Sequence, residues 1–128
     1  MEKKNNHQDS SARFIVGTVV HSLAFIAFLS AVIFGISAIL AYKEGLASDG
    51  SIEGFGAALG AVILFVIFLI SGGIHQLLGY VGIPILFPSR RAESRGRRTA
   101  ARVLLVTQTV TLVLDFILFA VILISFRS

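Results

Sequence analysis

Three long stretches of the chain carry almost no ionised side chains, and polar segments separate them. Phe14 to Tyr42 contains no Asp, Glu, Lys or Arg, and Gly54 to Ser89 contains none over 36 residues. Val103 to Phe126 is interrupted only by Asp115. A hydrocarbon core of ~30 Å is crossed by ~20 helical residues. Each stretch is therefore long enough to cross it, the first with room for tilt. The predicted helices are 14–42, 55–80 and 103–126. The second stretch is too long for one straight span. Gly79, Gly82, Pro84 and Pro88 punctuate its end. Ile83–Phe87 is expected at the membrane interface or as a short re-entrant piece, where backbone leaving the helix needs protein or water partners.

The polar segments complete the pattern. Residues 1–12 read as a mobile polar tail, with Asp9, Ser10 or Ser11 placed to cap the first helix. Residues 43–54 form a short outer loop rich in turn formers: Gly45, Ser48, Asp49, Gly50 and Ser51. Residues 81–102 form a loop in which Arg90, Arg91, Arg95, Arg97, Arg98 and Arg102 face one acid, Glu93. The fold class is an all-α membrane protein, one domain over 13–128 built as a three-transmembrane-helix bundle. A cleaved signal peptide is the competing reading of the first stretch, since Lys3, Lys4 and Arg13 resemble its basic leader. Signal cores run only ~7–15 residues, however, and no small-residue cleavage site follows Ala41.

Composition sharpens this picture. Hydrophobic residues make up 55% of the chain and charged ones 14%, well below the ~25% charged of a soluble domain. A water-soluble fold of this length has too little interior to hide them. No cysteine is present, which excludes disulfides and thiolate chemistry. Tryptophan is absent too, so interfacial anchoring falls to Tyr42, Tyr80 and phenylalanines.

Charge placement predicts orientation. Nine of the eleven basic residues lie in the amino-terminal tail, at Arg13 directly after it, or in the 81–102 loop; only Lys43 and Arg127 lie on the other side. Short basic loops stay in the cytoplasm. The amino terminus is thus expected inside and the carboxyl terminus outside, in a multi-pass cell-membrane protein. The arginines are expected to contact anionic headgroups, at ~1 kcal/mol per basic residue. Binding of nucleic acid is not expected, because no aromatic or fold element accompanies the charges.

Small residues mark the faces on which membrane helices meet. In the first helix Gly17, Ala24, Ala31, Gly35 and Ala38 recur at steps of seven, four or three, with His21 on the same stripe. In the second, Gly56 and Gly60 make a Gly-x-x-x-Gly pair, and Ser71, Gly72, His75 and Gly79 make a polar stripe. In the third, Gln108, Thr111 and Asp115 share one face. Asp115 lies ~20 Å along the helix from Arg102. A charge at mid-bilayer is expensive, so this carboxyl should be carried protonated or paired with an interior donor. His21, His75, Gln108 and Asp115 could form one polar cluster. Its plainest role is a hydrogen-bonded lock between helices.

Three further uses of these residues are expectations to weigh. His21 and His75 could ligate haem b from neighbouring helices. Asp115 and a histidine could exchange protons with a quinone. Oligomers could line a pore with the polar third helix, as in a holin. Ser71-Gly72-Gly73-Ile74-His75-Gln76-Leu77-Leu78, with the three-helix topology, looks somewhat like the inner end of the second helix in anchor subunits of succinate dehydrogenase and fumarate reductase. That likeness implies a haem- or quinone-binding anchor. The His-Arg pair common in the first helix of one such subunit is replaced here by His21-Ser22.

No nucleophile–base arrangement, phosphate loop or metal-ligand spacing stands out, and the segments outside the spans are too short for a catalytic domain. The leading expectation is an accessory or interaction subunit without catalysis of its own, docking to a membrane partner or to a second copy. A regulatory or immunity protein leaves no signature that residues alone would reveal.

Overall fold

The computed structural model describes residues 2–47, 50, 52–92 and 94–127, with side chains described from residue 11 onward. Ser48, Asp49, Ser51 and Glu93 of the expected loops lie outside the described residues. Of the described residues 97% are helical, which gives the all-α class. Helix α1 runs over Glu2–Ala47, α2 over Ile52–Leu86 and α3 over Arg95–Arg127, and a 3-10 turn occupies Phe87–Arg91 between α2 and α3. Three helical stretches of 37, 40 and 33 residues each hold an 18-residue window of mean hydropathy 2.6, 2.6 and 2.5, and are long and apolar enough to cross a membrane.

Each helix outruns the span expected for it. α1 begins at Glu2 rather than near residue 14. Residues 2–12 contain no Pro or Gly, and adding a residue to an existing helix is far cheaper than starting one. α2 continues through Ile83–Leu86 with Pro84 inside it. Proline removes one backbone hydrogen bond and crowds the preceding turn. The helix persists because Leu86, fully buried, packs against α1: a Cβ at Gly17 would lie 3.0 Å from its Cδ1. The chain then leaves the helix at Phe87, where Pro88 suits the start of the 3-10 turn. α3 starts at Arg95, eight residues before Val103. Arginines oppose the positive end of the helix dipole, but Ala100, Ala101 and the arginines themselves are strong helix formers.

The chain forms two compact units. The first comprises Met1–Ile26 and His75–Leu112; the second comprises Ala27–Ile74 and Val113–Ser128. In the first unit α1 and α2 run antiparallel: Gly17 meets Leu86, and Gly82 meets Val20 and His21. α3 joins through Gln108 and Leu112, both against Gly79. Its buried residues include Ala24, Leu86, Ala101 and Leu112, and also His21, His75, Ser89, Gln108 and Thr111.

The second unit has an apolar, aromatic core. Ala31, Phe68 and Ile122 form its core, flanked by Phe34, Phe65, Leu118 and Phe126. Gly35 brings the helices close: a Cβ there would lie 2.7 Å from Ile122 and 3.1 Å from Phe68. Phe126 sits 4.8 Å from the Tyr42 ring and 5.2 Å from the Phe65 ring, and the Tyr42 hydroxyl donates to the Phe126 carbonyl at 2.8 Å. Within this unit α1 and α3 run parallel and α2 antiparallel to both. After α1 the chain passes through Gly50, whose φ of 79° is a left-handed conformation that glycine adopts without strain.

Candidate functional site: a buried polar layer in the first unit

The first unit holds most of the polar interior. His21 is one helical turn from Gly17, and its Nδ1 donates to the Gly17 carbonyl at 2.8 Å. A carbonyl only accepts, so this bond places the proton on Nδ1 and leaves a lone pair on Nε2 of the neutral ring. The ring lies against Gly82, where a Cβ would fall 2.9 Å from Cε1 and 3.0 Å from Nδ1. Gly79, one turn earlier, is pressed in the same way by the Gln108 amide nitrogen. Two glycines on one face of α2 thus make the space for a ring from α1 and an amide from α3.

Both polar groups are almost fully enclosed, at 3% exposure each. His21 Nε2 and Gln108 Nε2 have no hydrogen-bond partner. The two residues border a largely apolar cleft of about 380 Å³ between α1 and α3, whose other walls are Ser22, Phe25, Ile26, Leu104 and Thr107, while both nitrogens themselves are closed to solvent. Ser22, Phe25, Ile26 and Thr107 are exposed, so the cleft opens sideways on the helix surface. The Ser22 hydroxyl is turned to its own helix and donates to the Thr18 carbonyl at 2.9 Å.

The remaining sequence candidates have other surroundings. His75 is fully buried, donates from Nδ1 to the Ala24 carbonyl at 2.9 Å, and does not line the cleft. Thr111 donates to the Gln108 carbonyl at 3.0 Å, and so acts within its own helix. Asp115 belongs to the second unit, buried beside Gly72, where a Cβ would stand 3.3 Å from its Oδ1. Ala31 and Gly35 are buried in that unit. Gly56 and Gly60 have nothing within 4 Å of a Cβ built on them, so this pair is unused by the chain's own packing. The second unit also has a cleft of about 290 Å³ between α1 and α3, lined by Phe28, Val32, Leu114, Ile117, Leu118 and Val121, with no polar group to orient a ligand.

The arginines divide by role. Arg13 donates from Nε to the Ile85 carbonyl at 3.2 Å, Arg90 stacks 3.9 Å above the Phe87 ring, and Arg97 lies 5.6 Å from the Phe14 ring. Arg91, Arg95 and Arg102 are exposed, and Arg98 is half-buried. No group of three metal-ligating side chains exists among the described residues. The pairing of Gly79 with Gln108 and of Gly82 with His21 is the feature that spacing alone missed. Its signal was present as two glycines three residues apart, but Gly82 reads as punctuation beside Pro84. Compared with known proteins, the chain matches no family model, no curated protein and no solved structure.

Proposed function

We propose that this chain is a multi-pass cell-membrane protein, amino terminus and arginine-rich segment in the cytoplasm, that serves as an accessory subunit docking laterally on another membrane helix. It has no catalysis of its own in this reading. The observation that carries it is the open Gly56–Gly60 pair of α2, where a Cβ at either glycine would meet nothing within 4 Å among the described residues. In lipid, close backbone approach at small residues is a main source of helix association. A Gly-x-x-x-Gly pair that the fold leaves uncovered offers that approach to a helix from outside the chain. Phe55, Leu59, Val62 and Ile63 flank it and are exposed, which suits a lipid-embedded contact. The basic segment supports the orientation and supplies an anionic-headgroup contact through Arg91, Arg95 and Arg102, at ~1 kcal/mol each.

The test is cross-linking in native membranes followed by sizing in mild detergent. The wild type is expected to run as a complex, with itself or with a partner. Gly56→Ile combined with Gly60→Ile is expected to run as monomer with unchanged helicity, because the added side chains meet nothing in the chain itself. A wild type that yields only monomer and no cross-linked species would remove this reading.

A further inference from the structure

We propose that the seam between α1 and α3 in the first unit seats one acidic phospholipid, its phosphate at Arg97 and one acyl chain in the apolar cleft. This deepens the headgroup contact of the reading above and rests on the chain lying in a bilayer. It does not need the glycine pair on α2.

The cleft decides the body of the ligand. The surface it offers is almost wholly apolar. Phe25, Ile26 and Leu104 wall it, the Ser22 hydroxyl bonds its own helix, and the His21 and Gln108 nitrogens are closed off. Water is a poor filler for such a groove, and an empty groove forfeits dispersion contacts along its walls. The cleft opens sideways between two helices that are apolar enough to cross a membrane, where lipid tails are the solvent. An acyl chain is the occupant of matching chemistry.

The same seam decides the head. Arg97 precedes Leu104 by seven residues on α3, two turns along the same face and ~10 Å nearer the start of the helix. Its guanidinium lies 5.6 Å from the ring of Phe14 on α1, within the ~6 Å over which a cation and an aromatic face attract. Phe14 precedes Phe25 by eleven residues, close to three turns, and so shares its face of α1. Two facing helix surfaces therefore carry a cation at one level and an apolar cleft ~10 Å further along. A phospholipid has its phosphate and its acyl chain in that order. Residues 95–108 of α3 carry four arginines and no acid, and residues 10–26 of α1 carry no acid either. The charge of the seam is thus purely positive. Arg97 is half-buried, where an anion attracts it more strongly than in open water, and guanidinium donors match phosphate oxygens two at a time.

The full chain, purified in an uncharged detergent, is titrated with lipid and read by native mass spectrometry. That measurement counts lipids bound per chain and gives oligomeric mass separately, so a missing lipid and a missing complex are distinct results. The probes are palmitoyl-oleoyl phosphatidylglycerol, phosphatidylcholine with the same chains, and glycerol 3-phosphate, a head without chains. The wild type is expected to take up one phosphatidylglycerol per chain, about tenfold more tightly than phosphatidylcholine, the scale of one hydrogen bond to a charged group. Glycerol 3-phosphate is expected not to bind at the same concentration. Arg97→Gln is expected to weaken phosphatidylglycerol about tenfold by the same reasoning and to leave phosphatidylcholine unchanged. Arg91→Gln, exposed on the 3-10 turn, is expected to leave both unchanged. Ile26→Trp fills the cleft from an exposed position, so it disturbs little of the chain's own packing. It is expected to weaken phosphatidylglycerol about tenfold as well, and Leu104→Trp fills the cleft from the opposite wall with the same result. The proposal fails if glycerol 3-phosphate binds as tightly as the lipid, if the two lipids bind alike, if Arg91→Gln costs as much as Arg97→Gln, or if Ile26→Trp binds like the wild type.

Discussion

At the scale of single residues, glycine decides where the helices can touch. Gly82 admits the His21 ring, and a Cβ there would lie 2.9 Å from both His21 Cε1 and Val20 Cγ1. Gly73 has nothing within 4 Å. Gly82→Ala is therefore expected to lower stability by ~1–3 kcal/mol, the usual cost of overpacking. Gly73→Ala should be neutral or slightly stabilising, since alanine is the better helix former by ~1 kcal/mol. Thermal unfolding in detergent distinguishes the two, and equal effects would show that the contact at Gly82 is absent. Tyr42 gives a second comparison. Tyr42→Phe keeps the ring against Phe126 but removes the hydroxyl bond to its carbonyl. The expected loss is ~1 kcal/mol, read as a lower unfolding midpoint. Much of this residue-level detail was legible. Gly17, Ala24, Ala31, Gly35 and Ala38 show their spacing in the sequence, and all five are buried, as are Gln108, Thr111 and Asp115. Helical periodicity and side-chain size suffice to find such a face. The cleft was not legible, because a void depends on which residues from two helices fail to fill it.

At the scale of the element, the boundaries resisted reading for a common reason. Hydropathy reports where a helix leaves hydrocarbon, not where its hydrogen bonds end. α1 therefore starts at Glu2, well before Phe14, and α3 starts at Arg95, before Val103. The first turn of α3 carries Arg95, Arg97 and Arg98 where the dipole favours acids. Arg95→Glu is expected to stabilise that turn by ~0.3–1 kcal/mol, seen as slower amide exchange over residues 96–99. The same change removes an exposed cation. It should weaken binding to vesicles containing anionic lipid by more than the loss of one charge, since the new carboxylate is repelled. Opposite signs in the two measurements would indicate that the segment is kept basic for its surroundings, at the expense of helix stability. Faster exchange in the variant would count against the dipole argument. α2 illustrates the reverse error. Pro84 suggested an early stop, yet the helix runs on to Leu86 because that side chain is wholly enclosed. Packing outweighs a local preference that sequence alone makes prominent.

At the scale of the whole molecule, charge asymmetry predicts the direction across the membrane. Eleven basic residues divide nine to two between the two sets of segments. Moving a cluster such as Arg90 to Arg102 through hydrocarbon is far costlier than leaving it behind, at ~2.5–3.5 kcal/mol per arginine even on insertion scales. The absence of cysteine from all 128 residues makes a direct test simple. Single cysteines placed by Ser94→Cys, just before α3, and by Glu53→Cys, in the first turn of α2, occupy exposed positions near opposite ends of α2. A maleimide that cannot cross membranes, applied to intact cells, is expected to label the Glu53→Cys protein and spare the Ser94→Cys protein. Lysis should then expose both. The reverse pattern would invert the chain and put the arginines outside, and with them the anionic-headgroup contact. It would leave the open glycine pair on α2 and the cleft beside His21 intact, because those rest on packing within the chain. Helix contacts and charge translocation are separate physics, and the labelling pattern bears on the second alone.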